Sequence, residues 1–233
     1  MAVSLPIVLV PGLNCSPRLY SPQVPELWRF GPVTVADHSR DDGMAAIARR
    51  ILETAPPRFA LAGLSMGGYV ALEIVRQAPG RVARLALLDT GARDDPPAAQ
   101  EIRRDRIALA ESGRFAEVNE ATWPVLVHPD RRADAALKQA FLAMCRDVGP
   151  EAYVRQQKAI MARADSRPLL AAIDCPTLVL VGAQDELTPP HLADEMAAGI
   201  KGARLVKVAD CGHLSTLERP EAVTRELIEW MRA

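Results

Sequence analysis

Gly63-Leu64-Ser65-Met66-Gly67 forces one kind of turn on this chain. An apolar run, Arg58-Phe59-Ala60-Leu61-Ala62, precedes it, and a helix-like run, Tyr69–Val75, follows it. A serine between two glycines at a strand-to-helix junction reads as a nucleophile elbow. The serine backbone must be strained, and its flanks need almost no side chain. The hydroxyl is then held above the sheet edge, and the first amides of the helix face whatever it attacks. Five residues of this pattern arise often by chance; the strand before and the helix after give them weight.

The rest of the chain supplies the sheet that such a turn requires. Ile7-Val8-Leu9-Val10 and Val33-Thr34-Val35-Ala36 read as strands. A helix from about Gly43 follows, with Met44, Ile47, Ala48, Ile51 and Leu52 at helical spacing. Asp41 or Asp42 is placed to cap it, and Pro56-Pro57 stops it. Arg84–Asp89, Pro176–Val181 and Ala203–Val208 read as further strands. Helices are expected from about Pro189 and Pro220, where a first-turn proline loses no hydrogen bond. Apolar strands alternating with helices predict an α/β fold: a mostly parallel sheet with helices on both faces. Right-handed crossovers bring every strand's C-terminal end to one edge, where ligand sites form.

The pattern breaks between residues 93 and 165. That stretch is charged, alanine-rich and helical, with breaks expected near Gly113, Trp123-Pro124, Pro129 and Gly149-Pro150. It divides the chain into a core of residues 1–92 and 166–233 and a helical lid insertion of residues 93–165. Its charged runs, Arg103–Arg106 and Arg131-Arg132, read as solvated faces.

Composition narrows the chemistry. The chain has 233 residues and a formal net charge of −1, with no long basic run, which argues against nucleic acid as a partner. Cys15, Cys145, Cys175 and Cys211 are scattered, so neither a disulfide framework nor a metal site is expected, and a reducing cytoplasm fits. The apolar run Met1–Val10 is too short to span a membrane and reads as a buried strand rather than a signal peptide.

A serine hydroxyl needs a base. His213, in Cys211-Gly212-His213-Leu214 just past the last strand, lies on the edge that carries Ser65. His38 also ends a strand; His128 and His191 read as ordinary surface or packing residues. A carboxylate must fix the histidine's tautomer. Asp185, in the loop Gly182–Pro189, is the first candidate, with Glu186 and Asp89 as fallbacks and Asp210 as a loop-shaping residue.

The order Ser65, Asp185, His213 resembles the α/β-hydrolase superfamily, which uses nucleophile, acid and histidine in that sequence. The likeness runs through Val10-Pro11-Gly12-Leu13, the elbow through Gly68, the insertion after Asp89, the Gly182–Pro189 loop, Gly212-His213 and Leu217–Val223. It implies an oxyanion hole made by the amides of Leu13 and Met66, two fixed donors for a tetrahedral oxyanion. Pro11 departs from the histidine usual before that glycine, which leaves the loop's shape and Leu13's role open. The family often carries an extra strand pair ahead of the first strand read here, so a shortened sheet is expected.

Serine in place of aspartate points to acyl transfer. The expected activity is a serine esterase or lactonase acting on a small to medium apolar substrate, with no metal or organic cofactor. Asn14, Trp123, Leu126 and Tyr153 are the candidate substrate-binding residues; Phe115, Phe141 and Met144 are further candidates for the inner face of the lid. The same residues also suit a C–C bond hydrolase, an acyltransferase or a perhydrolase, and a non-catalytic binding protein is the remaining alternative.

Overall fold

The computed structural model describes residues 4–233; the first three residues of the apolar run Met1–Val10 lie outside the described residues. The chain alternates β1 (Ile7–Val10), α1 (Val24–Leu27), β2 (Val33–Val35), α2 (Met44–Thr54), β3 (Phe59–Leu64), α3 (Met66–Gln77) and β4 (Val82–Leu88). Helices α4 (Pro97–Glu111), α5 (Phe115–Leu126) and α6 (Ala135–Met161) follow without a strand among them. After α7 (Arg167–Leu170) the alternation resumes with β5 (Thr177–Gly182), α8 (Pro190–Gly199) and β6 (Arg204–Val208), then α9 (Ser215–Glu218) and α10 (Pro220–Arg232).

The six strands form one sheet in the order β2-β1-β3-β4-β5-β6, and every pairing is parallel. This is the doubly covered α/β architecture that the apolar runs predict. Every residue of β1, β3 and β5 is buried, because helices cover both faces. Side-chain alternation separates two cores. Ile7, Leu9, Ala60 and Ala62 pack with Leu227 and Trp230 of α10, while Val8, Val10, Phe59 and Leu61 pack with α2, α3 and α8. The outer strands are short, and β6 exposes Arg204 and Lys207, which discourages pairing with another sheet edge.

Helical spacing explains the packed faces. Met44, Ile47, Ala48 and Ile51 are the buried stripe of α2; Val223, Leu227, Trp230 and Met231 are that of α10. Two local expectations fail. Neither Asp41 nor Asp42 caps α2, whose N-cap is Gly43 with no side-chain bond. Asp41 is instead held by Arg50 through two hydrogen bonds of 2.6 and 3.0 Å. Trp123-Pro124 is no break either, since α5 runs through it to Leu126. Pro124 sits in the last turn, where its missing N–H removes one bond, and buried Val118, Trp123 and Leu126 keep that turn packed. Gly149-Pro150 does bend α6: Gly149 has φ 77°, outside the helical region.

The ends of the helical insertion meet, with the Ser166 N–H donating to the Ala92 carbonyl at 2.7 Å. Among the described residues no helix is long and apolar enough to cross a membrane.

Candidate active site

Ser65 is the N-cap of α3 and has φ 56° and ψ −117°, a strained conformation for a residue with a side chain. Neighbouring backbone holds it there. Its N–H donates to the Leu88 carbonyl at 2.9 Å, and its own carbonyl accepts from Thr90 Oγ1 at 2.8 Å. Close approach dictates the flanking glycines. A Cβ on Gly63 would lie 2.1 Å from the Gly67 carbonyl oxygen, and one on Gly67 would lie 2.0 Å from that of Val10. The elbow is therefore wedged between its own strand and the end of β1, which brings the Pro11–Asn14 loop beside Ser65. A Cβ on Gly12 would stand 3.4 Å from the Ser65 Cβ. The amides of Leu13 and Met66 find no acceptor among the described residues.

The loops after β5 and β6 meet in the same way. A Cβ on Gly182 would lie 2.0 Å from the Gly212 oxygen, so the acid loop and the histidine loop cross in contact. His213 Nδ1 donates to Asp185 Oδ2 at 2.7 Å, with both side chains buried. Asp185 also accepts the amides of Leu187 and Thr188 on Oδ1, at 2.8 and 2.9 Å, and the Thr188 hydroxyl on Oδ2 at 2.7 Å. Burial favours the protonated acid, but the His213 charge and these donors outweigh it and hold Asp185 below the ordinary carboxylate range. Burial pulls His213 down, while Asp185 pulls harder in the other direction, so the imidazole titrates above the ordinary histidine value. With Nδ1–H donated to the Asp185 carboxylate, Nε2 is the nitrogen left to take a proton.

The histidine loop is fixed independently. The amides of His213 and Leu214 both donate to the Leu126 carbonyl at 3.0 Å, and the Gly212 amide donates to Glu218 Oε1 at 3.0 Å.

Of the candidate carboxylates, Asp185 is the one brought to His213. Glu186 is exposed and pairs with Arg132. Asp89 is buried but accepts the Gly182 amide at 2.8 Å and contacts the Ser215 hydroxyl. Burial, with Asp185 nearby, pushes its carboxyl up to about 8. The Ser65 hydroxyl makes no hydrogen bond to His213 among the described residues; such contacts are commonly loose before substrate arrives. Ser65 is 8% exposed and His213 2%.

The candidate substrate residues fall in different places. Asn14 lies on the loop beside Ser65, and its Oδ1 is buried without a partner among the described residues. Leu126 reaches the site through its carbonyl, against the histidine loop. Trp123 stacks on Phe141 in the main core cluster, and its Nε1 donates to the Arg132 carbonyl. Tyr153 belongs to a small cluster within the insertion and accepts from Gln157 Nε2 at 2.6 Å. Thr90, Asn119 and Gln156 carry no sequence signal of a place in the site, and Thr188 and Glu218 lie in the motifs of the resemblance without a role of their own there. Thr188 stands three residues after Asp185, and Glu218 near the start of the last helix.

All four cysteines are free. Burial raises the Cys15 thiol to about 12, and it raises those of Cys145 and Cys211 as well, so none is a ready nucleophile.

Comparisons with known proteins agree with this fold. The model of the alpha/beta hydrolase family matches residues 7–226. A Mycobacterium tuberculosis protein named as a non-heme bromoperoxidase is 28% identical, over 97% of this chain and 93% of its own. A thermophilic esterase from Thermogutta terrifontis superposes with a TM-score of 0.88 at 32% identity, covering 98% of this chain and 89% of that one. The enol-lactonase from Burkholderia xenovorans LB400 gives a TM-score of 0.89 at 26% identity, covering 99% and 92%. A strained serine elbow, a buried acid–histidine pair and a family match over nearly the whole chain lead to one assignment: this protein is an enzyme of the alpha/beta hydrolase family.

Proposed function

We propose that the protein is a serine hydrolase of a carboxylic ester or lactone, with Ser65, Asp185 and His213 as its catalytic residues. The observation that carries this reading is the Asp185–His213 bond, which leaves Nε2 as the basic nitrogen at the edge bearing Ser65. His213 Nε2 takes the Ser65 proton as the hydroxyl attacks the substrate carbonyl. Asp185 stabilises the imidazolium. The Leu13 and Met66 amides receive the oxyanion. His213 then protonates the leaving alcohol, and water activated by the same nitrogen releases the acid.

The unmatched Leu13 and Met66 amides support the oxyanion hole. Residues 93–165 act as a lid on the core of residues 1–92 and 166–233. Ser65 is nearly enclosed, so a substrate reaches it only when side chains or the insertion move. The unpartnered Asn14 Oδ1 offers an acceptor to the substrate, and Leu126, Trp123 and Tyr153 supply apolar surface or support it from behind.

Purified protein should hydrolyse short-chain p-nitrophenyl esters, and Ser65→Ala should lose about 10⁴-fold or more in kcat while keeping the wild-type melting temperature. Undiminished turnover by a folded Ser65→Ala protein would refute the reading. The similarity to a protein named as a non-heme bromoperoxidase favours one variation, in which hydrogen peroxide replaces water in opening the acyl-enzyme. Peracid formation from acetate ester and peroxide, absent in Ser65→Ala, distinguishes it from plain hydrolysis.

A further inference from the structure

His38 is a buried histidine that the proposed reaction leaves idle. It is 4% exposed, sits past the end of β2, and places Nε2 2.9 Å from the Gly12 carbonyl oxygen. A carbonyl only accepts, so the ring donates Nε2–H. Burial holds the imidazole below the ordinary histidine value, which keeps this donor ring neutral. Gln156 Nε2, 3.2 Å away, is a second donor and merely packs against it.

The Gly12 carbonyl belongs to the same peptide unit as the Leu13 N–H. A trans peptide is planar, and its C=O and N–H point in opposite directions. Whatever pins the Gly12 oxygen therefore aims the Leu13 amide. The next peptide is pinned too. The Asn14 N–H donates to Gln156 Oε1 at 2.9 Å, and Asn14 Nδ2 donates to Asn119 Oδ1 at 2.9 Å and contacts Cys145 Sγ at 3.1 Å. Gln156 is fully buried and Asn119 is 6% exposed. Asn14 itself has φ 60°, a left-handed conformation that asparagine adopts more readily than most residues, and these bonds hold the loop in it. Loss of such a bond leaves a buried polar group without a partner, the Gly12 carbonyl on one side or the Asn14 N–H on the other, and a shift of the loop would relieve it.

We infer that His38 is a positioning residue for the oxyanion hole, turning the Leu13 amide toward the site through the Gly12 carbonyl, with Gln156 clamping the following peptide and Asn119 the Asn14 side chain from the insertion. This rests on the hydrolase reading above. His38 takes no part in proton transfer, because its Nε2 already carries the hydrogen given to the Gly12 carbonyl. The positioning role also explains how Pro11 is tolerated, because the loop is held from His38 and from the insertion rather than by the residue before Gly12.

The test compares His38→Leu, His38→Gln and Gln156→Met with wild type. Three quantities are read: kcat and KM on a p-nitrophenyl ester, affinity for an alkyl boronic acid whose adduct carries a tetrahedral oxyanion mimic, and melting temperature. Glutamine places an amide nitrogen near the position of histidine Nε2 and keeps the donor. His38→Leu should lower kcat about tenfold, less than the hundredfold typical of losing an oxyanion donor outright. KM should stay within about twofold, boronate affinity should fall in step with kcat, and His38→Gln should recover most of both. Gln156→Met should repeat the pattern from the other side and serves if His38→Leu does not fold. An active wild type with folded variants of undiminished kcat and boronate affinity would overturn the positioning role alone, as would His38→Gln no better than His38→Leu. A wild type that neither hydrolyses esters nor binds boronate would overturn the hydrolase reading as well.

Discussion

The two halves of the candidate site are held by different means. On the acid–histidine side, Asp185 accepts two backbone amides and the Thr188 hydroxyl within its own loop, and the loop of Gly182 crosses that of Gly212 in backbone contact. On the oxyanion side, the Gly12–Asn14 loop is tied down by the side chains of His38, Gln156 and Asn119, two of them from the insertion. The first half is built mainly from the sheet and its loops. The second depends on helices that interrupt the sheet. The insertion also touches the histidine side, where the Leu126 carbonyl accepts the His213 and Leu214 amides. Changes at Gln156 and Asn119, away from that contact, should therefore reach the reaction through the oxyanion and leave the basicity of His213 alone.

The sharpest way to break this comparison is on the acid side. Asp185→Asn puts an amide nitrogen or a weaker carbonyl where two oxygens now accept four donors, and it no longer fixes the Nδ1–H tautomer. We expect kcat to fall by about 10⁴-fold, the size of the loss from the equivalent change in a serine protease triad. Esterase kinetics on the folded variant check it, and a loss below about tenfold would mean that another group orients His213. This exceeds the effect expected at Gln156 by a wide margin, as the contrast between the two halves requires.

A smaller effect separates Asp89 from Asp185. Asp89 bridges the Gly182 amide and the Ser215 hydroxyl behind the pair. Its ordinary value is 3.8 and burial raises it to about 8 in the fold. Between those values the folded protein keeps a proton that the unfolded chain has released, so stability falls as pH rises through this window. Asp89→Asn removes that slope while keeping an acceptor for Gly182, and asparagine tolerates the positive φ found there. The variant's melting temperature should gain on wild type as pH climbs from about 5 to 8. Parallel curves would show that Asp89 holds no such proton.

What could be read from the sequence follows the same division. Ser65, Asp185 and His213 each follow a strand and sit within a few residues of a glycine that backbone contact requires, so topology alone collects them at one edge. Gln156 and Asn119 gave no signal, because polar residues within helices read as solvent-facing and nothing local marks a buried amide. His38 could be placed past a strand, but its partner, the Gly12 carbonyl, is a backbone atom that no motif records. The position of Trp123 in the insertion makes it a candidate for a substrate pocket. It packs on Phe141 in the main core, a choice between pocket and packing that depends on the path of α6. Asp41 had the right place for a helix cap, and the guanidinium of Arg50 outcompeted the backbone amides for it.

The account rests on Ser65 being activated by His213, and phosphonylation measures that without any knowledge of the natural substrate. The rate at which a fluorophosphonate labels Ser65, followed by peptide mass, should rise with pH as His213 loses its proton. Because Asp185 raises the His213 value in the fold, that rise should be centred above the ordinary histidine value of about 6.5. His213→Ala should be labelled at least about a hundredfold more slowly. Label on a residue other than Ser65, or equal rates for wild type and His213→Ala across that range, would contradict it.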